Sequence, residues 1–219
     1  YEGRWLRNPK FISEYINFWL ENSGDGIRQY SFLIADATLA FNNIHRNDSI
    51  LSNQLEPLIK NYNQWEKIRR DEGKSLFFQW DVADGMEVTA SGRILNNGVR
   101  KFGVEAIRPT INSYMYGDAK AISKISNITN NFDKVQEFEN KATILKQKLQ
   151  SRLWNKELNF FTVLPKDYDN NTKPLNVREL IGYVPWYFNI PDDKSEYALA
   201  WNKIKDSKGF SAPIGLTVT

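Results

Sequence analysis

A long segment without a regular hydrophobic period separates two helical regions of this 219-residue chain. It covers residues 74–108, where apolar residues follow neither the period of a helix nor that of a strand. Gly85, Gly92 and Gly98 are typical of loops and turns. Connections of this length are uncommon in compact domains unless they carry function. The segment is therefore the first place in the chain to look for a site.

Three acidic residues and a tryptophan lie close together in this segment. They are Trp80, Asp81, Asp84 and Glu87, with Gly85 between the acids. Several carboxylates in one irregular segment suit general acid–base chemistry, and loops often carry such groups. The same pattern also fits a solvated acidic loop whose carboxylates cap a neighbouring helix. The residues alone leave both interpretations open.

The rest of the chain predicts helices joined in pairs. Apolar residues at helical spacing predict a helix beginning at Asn8-Pro9 and helices over about 29–45, 49–62, 110–128, 134–154 and 195–206. Only a short extended run is expected, at 159–164. The chain is therefore predicted to be all-α and a single domain over 1–219, with helical hairpins that stack or close into a ring. We expect the less charged helices, 29–45 and 110–128, to be the inner ones, and 134–154 to lie outside.

The composition excludes several classes of site and partner. Cysteine is absent and His45 is the one histidine, so a thiolate or histidine metal site and a Ser-His-Asp triad are not expected. We expect neither a metal nor a cofactor. The net charge of +3 is too balanced to indicate nucleic acid. No apolar run approaches the ~18 residues of a membrane span, so no membrane contact is expected.

Aromatic residues are abundant, with 7 Trp, 10 Tyr and 13 Phe. Aromatic rings stack on the apolar faces of sugars, but they also fill helical cores, and the core is the default assignment. We assign Trp5, Trp19, Trp65 and Trp201 to the core by that default. Trp80 and Trp186, in predicted loops, are the better candidates for contact with a sugar.

Two motifs carry a resemblance to a known family. They read WDVADGMEVTASG at 80–92 and RPTINSYMYGDAKAIS at 108–123. In this order they resemble the six-hairpin, α/α-toroid glycoside hydrolases, and most closely the mannosylglycerate-hydrolase-like branch, which is related to trehalases and processing α-glucosidases. Segments 153–161, 178–186 and 209–216 fit the same pattern, so the resemblance covers nearly the whole chain. It implies part of an (α/α)6 toroid with long, aromatic-rich loops.

The resemblance also implies a reaction and the residues that perform it. Such enzymes invert the anomeric centre, with one carboxylic acid protonating the leaving oxygen and one carboxylate activating water. Glu87 matches the acid position, although the relatives have Asp there, and Asp84 is the second choice. The resemblance implies an exo-acting hydrolase of α-glucosides or α-mannosides.

The same resemblance suggests the residues that bind the substrate. They are Trp80, Asp81, Arg108, Asn112 and Trp186. Asn112, and more loosely Arg108, match positions that hydrogen-bond sugar hydroxyls, and Trp80 would form a wall of the pocket. Arg108 could equally pair with Asp81, Asp84 or Glu87.

In similar enzymes the catalytic base follows the point where this chain ends. We therefore expect the base to lie beyond Thr219 and the chain to be a fragment that is inactive in isolation. Its open edges could drive self-association. Two other functions stay open: a noncatalytic carbohydrate-binding helical domain and a helical-repeat interaction module.

Overall fold

The computed structural model describes residues 1–70 and 73–218, and within them the predicted all-α class is confirmed. The helices are α1 Lys10–Asn17, α2 Ile34–His45, α3 Asp48–Arg69, α4 Ala90–Leu95, α5 Pro109–Ile128, α6 Phe132–Leu153, α7 Val184–Tyr187 and α8 Ser195–Ala198. The short strands are β1 Phe78–Trp80, β2 Glu105–Ile107, β3 Trp154–Asn155, β4 Phe160–Phe161, β5 Leu164–Pro165, β6 Ser211–Ala212 and β7 Gly215–Leu216. None of the helices in the described ranges is long and apolar enough to cross a membrane.

The chain divides into two compact units. The first unit comprises Tyr1–Arg70 and Tyr114–Ile144, and the second comprises Asp71–Ser113 and Leu145–Thr219. Helices α5 and α6 each contribute residues to both units. The single domain over 1–219 stays a prediction.

In the first unit, most of the predicted helices form, with shifted limits. The Oδ1 atom of Asn8 accepts the Lys10 N–H at 3.0 Å, as a cap before α1. Helix α2 begins at Ile34 instead of residue 29, because Leu33 has a non-helical backbone. Helix α3 runs to Arg69, beyond the predicted end at 62, with Pro57 in its interior.

The buried face of α2 is formed by Ile34, Leu39 and Phe41. Ile44 is 41% exposed and Ala37 is half-buried. The predicted helix began five positions too early, at residue 29, and so included residues that α2 does not contain.

Helices α5 and α6 differ in burial as expected. Helix α5 is buried on almost every side, including Ile111, Met115 and Ile122 at 0% exposure. Helix α6 buries one stripe and exposes its charged face. The stripe consists of Phe138, Ala142, Leu145, Leu149 and Leu153, as the period predicted.

The second unit contains three small antiparallel sheets. The largest has the strand order β1-β2-β5, and its register pairs Trp80 with Glu105 and Ile107 with Leu164. Strands β3 and β4 form a hairpin that includes part of the extended run predicted at 159–164. The predicted helix 195–206 is α8 followed by a 3-10 helix, Leu199–Ile204.

An aromatic cluster holds the second unit together. The ring of Trp154 packs edge-on against Phe161 at 4.9 Å and against Tyr197 at 4.6 Å. Tyr183 stacks on Trp201 at 5.1 Å.

The prediction that tryptophans fill the core is correct for Trp65, which is 0% exposed. It is wrong for Trp5, which is 64% exposed, and for Trp201, which is 46% exposed.

One buried carboxylate in the first unit joins two helices. Asp118 of α5 is almost fully buried, and its Oδ1 accepts the backbone N–H of Asp36 at 3.0 Å, in the first turn of α2. Burial raises the pKa of Asp118 well above its usual range and raises the pKa of Asp36 to about 6. Raised folded pKa values mean that the folded state holds protons which the unfolded chain has already released. Asp36 therefore costs stability as the pH rises from about 4 through about 6, and Asp118 adds a cost of the same sign.

We expect Asp118→Asn to flatten this pH dependence, because the amide keeps an oxygen for the Asp36 N–H and carries no charge. At pH 7 the variant should be more stable than the parent, because burial penalises the ionised carboxylate that the amide replaces. Urea unfolding of both proteins between pH 4 and 8 measures the difference. The comparison with the parent removes the opposite slope from Glu139 and Asp192, whose pKa values are lowered. A variant that is less stable than the parent at pH 7 would show that the negative charge itself is needed.

Candidate functional site

The acidic segment leaves strand β1 as a tight turn. The Asp81 N–H donates to Val104 O at 3.2 Å, which extends the pairing of β1 with the chain before β2. A 3-10 helix, Val82–Asp84, follows and ends at Gly85 with φ of 76°. That left-handed conformation suits glycine. The turn brings the chain back within a few residues, so Asp84 and Glu87 stay near the end of the sheet.

Asp81 is completely buried and its carboxylate is occupied by the protein. Its Oδ1 accepts the N–H groups of Val82 and Val104, both at 2.9 Å. Its Oδ2 accepts the hydroxyl of Thr89 at 3.0 Å. A buried carboxylate with three such bonds is well compensated for the loss of water. The geometry is that of a residue that fixes the turn.

Helix α4, which was not predicted, begins beside this carboxylate. Thr89 caps it by accepting the Gly92 N–H at 2.9 Å, a standard role for threonine. A Cβ at position 92 would lie 2.7 Å from both Asp81 Oδ2 and Thr89 Oγ1, so only glycine fits. The signal for this helix was the Thr-Ala-Ser-Gly sequence, which is also typical of a loop.

Arg108 lies beside Asp81 and is also completely buried. Its Nε donates to Gln79 O at 3.3 Å and its Nη2 to Val104 O at 3.1 Å. The Nη2 atom is 3.9 Å from Asp81 Oδ2. Of the carboxylates suggested as its partner, Asp81 is the one beside it. The guanidinium thus links β1 with the chain that leads into β2.

Asn112, in the first turn of α5, is bound at both ends of its amide. The Phe77 N–H donates to Asn112 Oδ1 at 2.8 Å, and Asn112 Nδ2 donates to Phe77 O at 2.9 Å. The same Nδ2 donates to Arg108 O at 2.8 Å. The side chain is fully buried. The Asn112 amide thus makes the pair of hydrogen bonds with Phe77 that a residue on a neighbouring β-strand would make.

Glu179 supports the same region. Its Oε1 accepts the Ser91 N–H at 2.9 Å, at the start of α4. The neighbouring Arg178 donates to Lys208 O at 2.6 Å. Ser91 Oγ also lies 3.4 Å from Arg108 Nη1. We use the term buried frame for the buried side chains that support the turn: Gln79, Asp81, Thr89, Ser91, Arg108, Asn112 and Glu179.

Asp84 and Glu87 differ from the buried frame in exposure. Glu87 is exposed and Asp84 is half-buried, while Asp81 has no exposed surface. Of Asp81, Asp84 and Glu87, the last has the side chain most open to a solute, and Asp84 keeps its Oδ2 atom buried. The assignment of Asp84 and Glu87 as acid catalysts stays a prediction.

The two tryptophans suggested to contact a sugar lie in different surroundings. Trp80 is half-buried at the end of β1, directly before Asp81. Trp186 belongs to helix α7 instead of a loop, and its ring contacts are with Phe161 at 5.3 Å and Trp201 at 5.5 Å. The structure thus groups Trp80 with the acids, while the described contacts of Trp186 are within the aromatic cluster.

Comparison with known proteins places the site in a family context. The model of the mannosylglycerate hydrolase MGH1-like glycoside hydrolase domain matches residues 1–219. A solved sialidase is 37% identical over 98% of this chain, with a TM-score of 0.85, and the match covers 19% of the sialidase.

Two structures from Thermus thermophilus are also similar. An uncharacterized conserved protein is 11% identical with a TM-score of 0.63, and the match covers 81% of this chain and 53% of that one. GH63 mannosylglycerate hydrolase in complex with glucose is 12% identical with a TM-score of 0.62, with 81% and 51% covered.

These similarities confirm the expected fold class, part of an α/α toroid of helical hairpins. The chain spans about half the length of the two Thermus proteins and about a fifth of the sialidase. Because the family model matches from the first residue to the last, the chain belongs to the family of mannosylglycerate hydrolase MGH1-like glycoside hydrolase domains.

Proposed function

We propose that this chain supplies the proton donor of an inverting glycoside hydrolase. The observation that carries the proposal is the turn at Asp84–Glu87, which places an exposed Glu87 and a half-buried Asp84 on a buried, hydrogen-bonded frame. Catalytic groups need such support, because their position must be fixed before the substrate arrives. The family match over the whole chain supports the reaction class.

Glu87 is the first choice as the general acid. A proton donor must come within hydrogen-bond reach of the leaving oxygen, and Glu87 is the more exposed of the two candidates. Asp84 is the second choice. Its backbone N–H donates to Asp81 O at 3.0 Å, so it is fixed directly by the turn.

The remaining predicted site residues take two roles in this proposal. Trp80 forms a wall against which the apolar face of a glucoside or mannoside stacks. Asp81, Arg108 and Asn112 position the turn, since each is fully buried and hydrogen-bonded inside the protein. Trp186 acts through the aromatic cluster that packs its helix.

Inversion needs a second carboxylate at about 6.5–9.5 Å from the first, with room for water between them. Two glutamates of the second unit already have other partners. Glu105 pairs with Lys166 Nζ at 2.6 Å, and Glu179 is buried against Ser91. In this proposal neither one activates the water.

Glu87→Gln should lower hydrolysis by about 10²–10⁴-fold, the usual contribution of a general acid. The loss should be smaller for an aryl glycoside, because a good leaving group needs less protonation. The measurement is the rate on alkyl and aryl α-glucosides and α-mannosides, for the full-length polypeptide and for the 219-residue chain. Proton NMR of the first-formed sugar checks inversion.

Asp84→Asn is the matched control for this experiment. If it abolishes hydrolysis while Glu87→Gln does not, the donor is Asp84. If neither substitution changes the rate, the acidic turn is not the donor. If no preparation turns over any substrate and the sugars still bind, the domain is a noncatalytic carbohydrate-binding module.

Asn112→Ala should destabilise the protein by about 2–6 kcal/mol. The substitution leaves the buried N–H and C=O of Phe77 without the side-chain partner, at about 1–3 kcal/mol for each group. Denaturant unfolding measures the loss. A normal folding free energy combined with a raised KM would instead identify Asn112 as a direct ligand of the sugar.

A further inference from the structure

A polar cavity of about 290 Å³ lies in the first unit. The acidic turn belongs to the second unit and to a different part of the sequence. It is bounded by the π-helical turn that follows α1, the 3-10 helix Gly24–Arg28 and the middle of α3. Its volume is at the small end of the range for ligand sites, about 300 Å³. The cavity therefore suits a ligand about the size of one ring.

The wall of this cavity is fixed by Arg28, which is almost completely buried. Its Nη1 donates to Asn61 Oδ1 at 2.9 Å, and its Nη2 donates to Gly24 O at 3.1 Å and Asp25 Oδ1 at 2.5 Å. Arginine can only donate, so the amide of Asn61 must turn its oxygen toward Arg28. The NH₂ group of Asn61 is thereby left as a donor for a ligand.

The polar groups around the cavity balance in charge. Arg28 and Lys60 are cations, and Glu21 and Asp25 are anions. Asn61 and Gln64 add neutral amides. An anionic ligand would face two carboxylates, and a cation would face the guanidinium and the ammonium. This arrangement of donors and acceptors suits a neutral molecule with many hydroxyl groups.

One side of the cavity is apolar. Trp19, Ile27 and Pro57 line it. The ring of Trp19 is braced by Phe18 at 5.7 Å and Phe32 at 6.2 Å, so it presents a fixed face. A lining that combines an aromatic ring with hydroxyl-binding groups matches the chemistry of a pyranose ring, which has C–H faces and a polar edge.

We propose that this cavity is a second, noncatalytic saccharide-binding pocket that takes one neutral hexose residue. Apolar C–H groups of the sugar rest on Trp19 and Pro57. Its hydroxyls accept from Lys60, Asn61 and Gln64 and donate to Glu21 and Asp25. The pocket does not depend on the acidic turn, so it binds sugar whether or not Glu87 is the catalytic acid.

The test is an isothermal titration of the Glu87→Gln form of the 219-residue chain with methyl α-D-glucopyranoside and methyl α-D-mannopyranoside. We expect saturable binding of at least one sugar. The double variant Lys60→Ala, Gln64→Ala should bind about tenfold more weakly, since it loses two hydrogen-bonding groups. Lys67→Ala, an exposed lysine of α3 outside the cavity lining, is the matched control and should bind as the parent does.

A further variant and a second ligand distinguish this pocket from the acidic turn and from an anion site. The titration is therefore repeated in a Trp80→Ala background, which removes the sugar wall proposed beside the acidic turn. Saturable binding should remain in that background, and the Lys60→Ala, Gln64→Ala pair should weaken it there. Inorganic phosphate is the anion probe and should not bind. The proposal is overturned if neither sugar binds saturably, if the double variant binds as well as the parent, if binding is lost with Trp80→Ala, or if phosphate binds in place of the sugars.

Discussion

The hydrogen bonds between Asn112 and Phe77 are the contact on which the candidate site depends. They attach the first turn of α5 to the start of β1, whose far end carries Trp80 and the acidic turn. The amide does for β1 what a neighbouring strand would do, satisfying both backbone groups of one residue. The strand has only three residues, and such a short element has little stability of its own. Its position is therefore set by the helix.

Arg108 and Asp81 extend this attachment along the turn. Burying either charge alone would be expensive, and breaking a buried pair commonly costs about 3–5 kcal/mol. Here the charged groups are 3.9 Å apart, and most of their compensation comes from hydrogen bonds to backbone groups and to Thr89. The stabilisation of the two charged side chains therefore depends on the positions of the backbone groups that bond to them. A shift of the turn would break several of these bonds together, which keeps the turn in one conformation.

Helix α6 was predictable because its period is strong and its burial one-sided. Helix α6 follows its predicted stripe from Phe138 to Leu153. The limits of α2 were not predictable in the same way, since Phe32 and Leu33 continue the apolar pattern while the backbone at Leu33 leaves the helical region. The strands β1 and β2 have three residues each and are held by contacts distant in sequence, so no local period marks them. The grouping of Asp81, Arg108 and Asn112 was predicted, but sequence cannot tell a buried supporting residue from one that touches a ligand.

Burial divides the acids of one short motif into different roles. Asp81 stands at the end of the strand, where its oxygens meet the backbone N–H groups of Val82 and Val104. Farther along the chain, around the turn closed by Gly85, Asp84 is half-buried with its Oδ2 atom inside the protein, and Glu87 is exposed. A carboxylate whose oxygens already accept bonds from the protein, and which no solute can reach, is poorly placed to exchange a proton with a substrate. The exposed carboxyl group of Glu87 has neither restriction. The buried Asp81 fixes the conformation of the turn that carries it. The spacing Asp-Val-Ala-Asp-Gly-Met-Glu therefore combines an anchor and two candidate donors in a single turn.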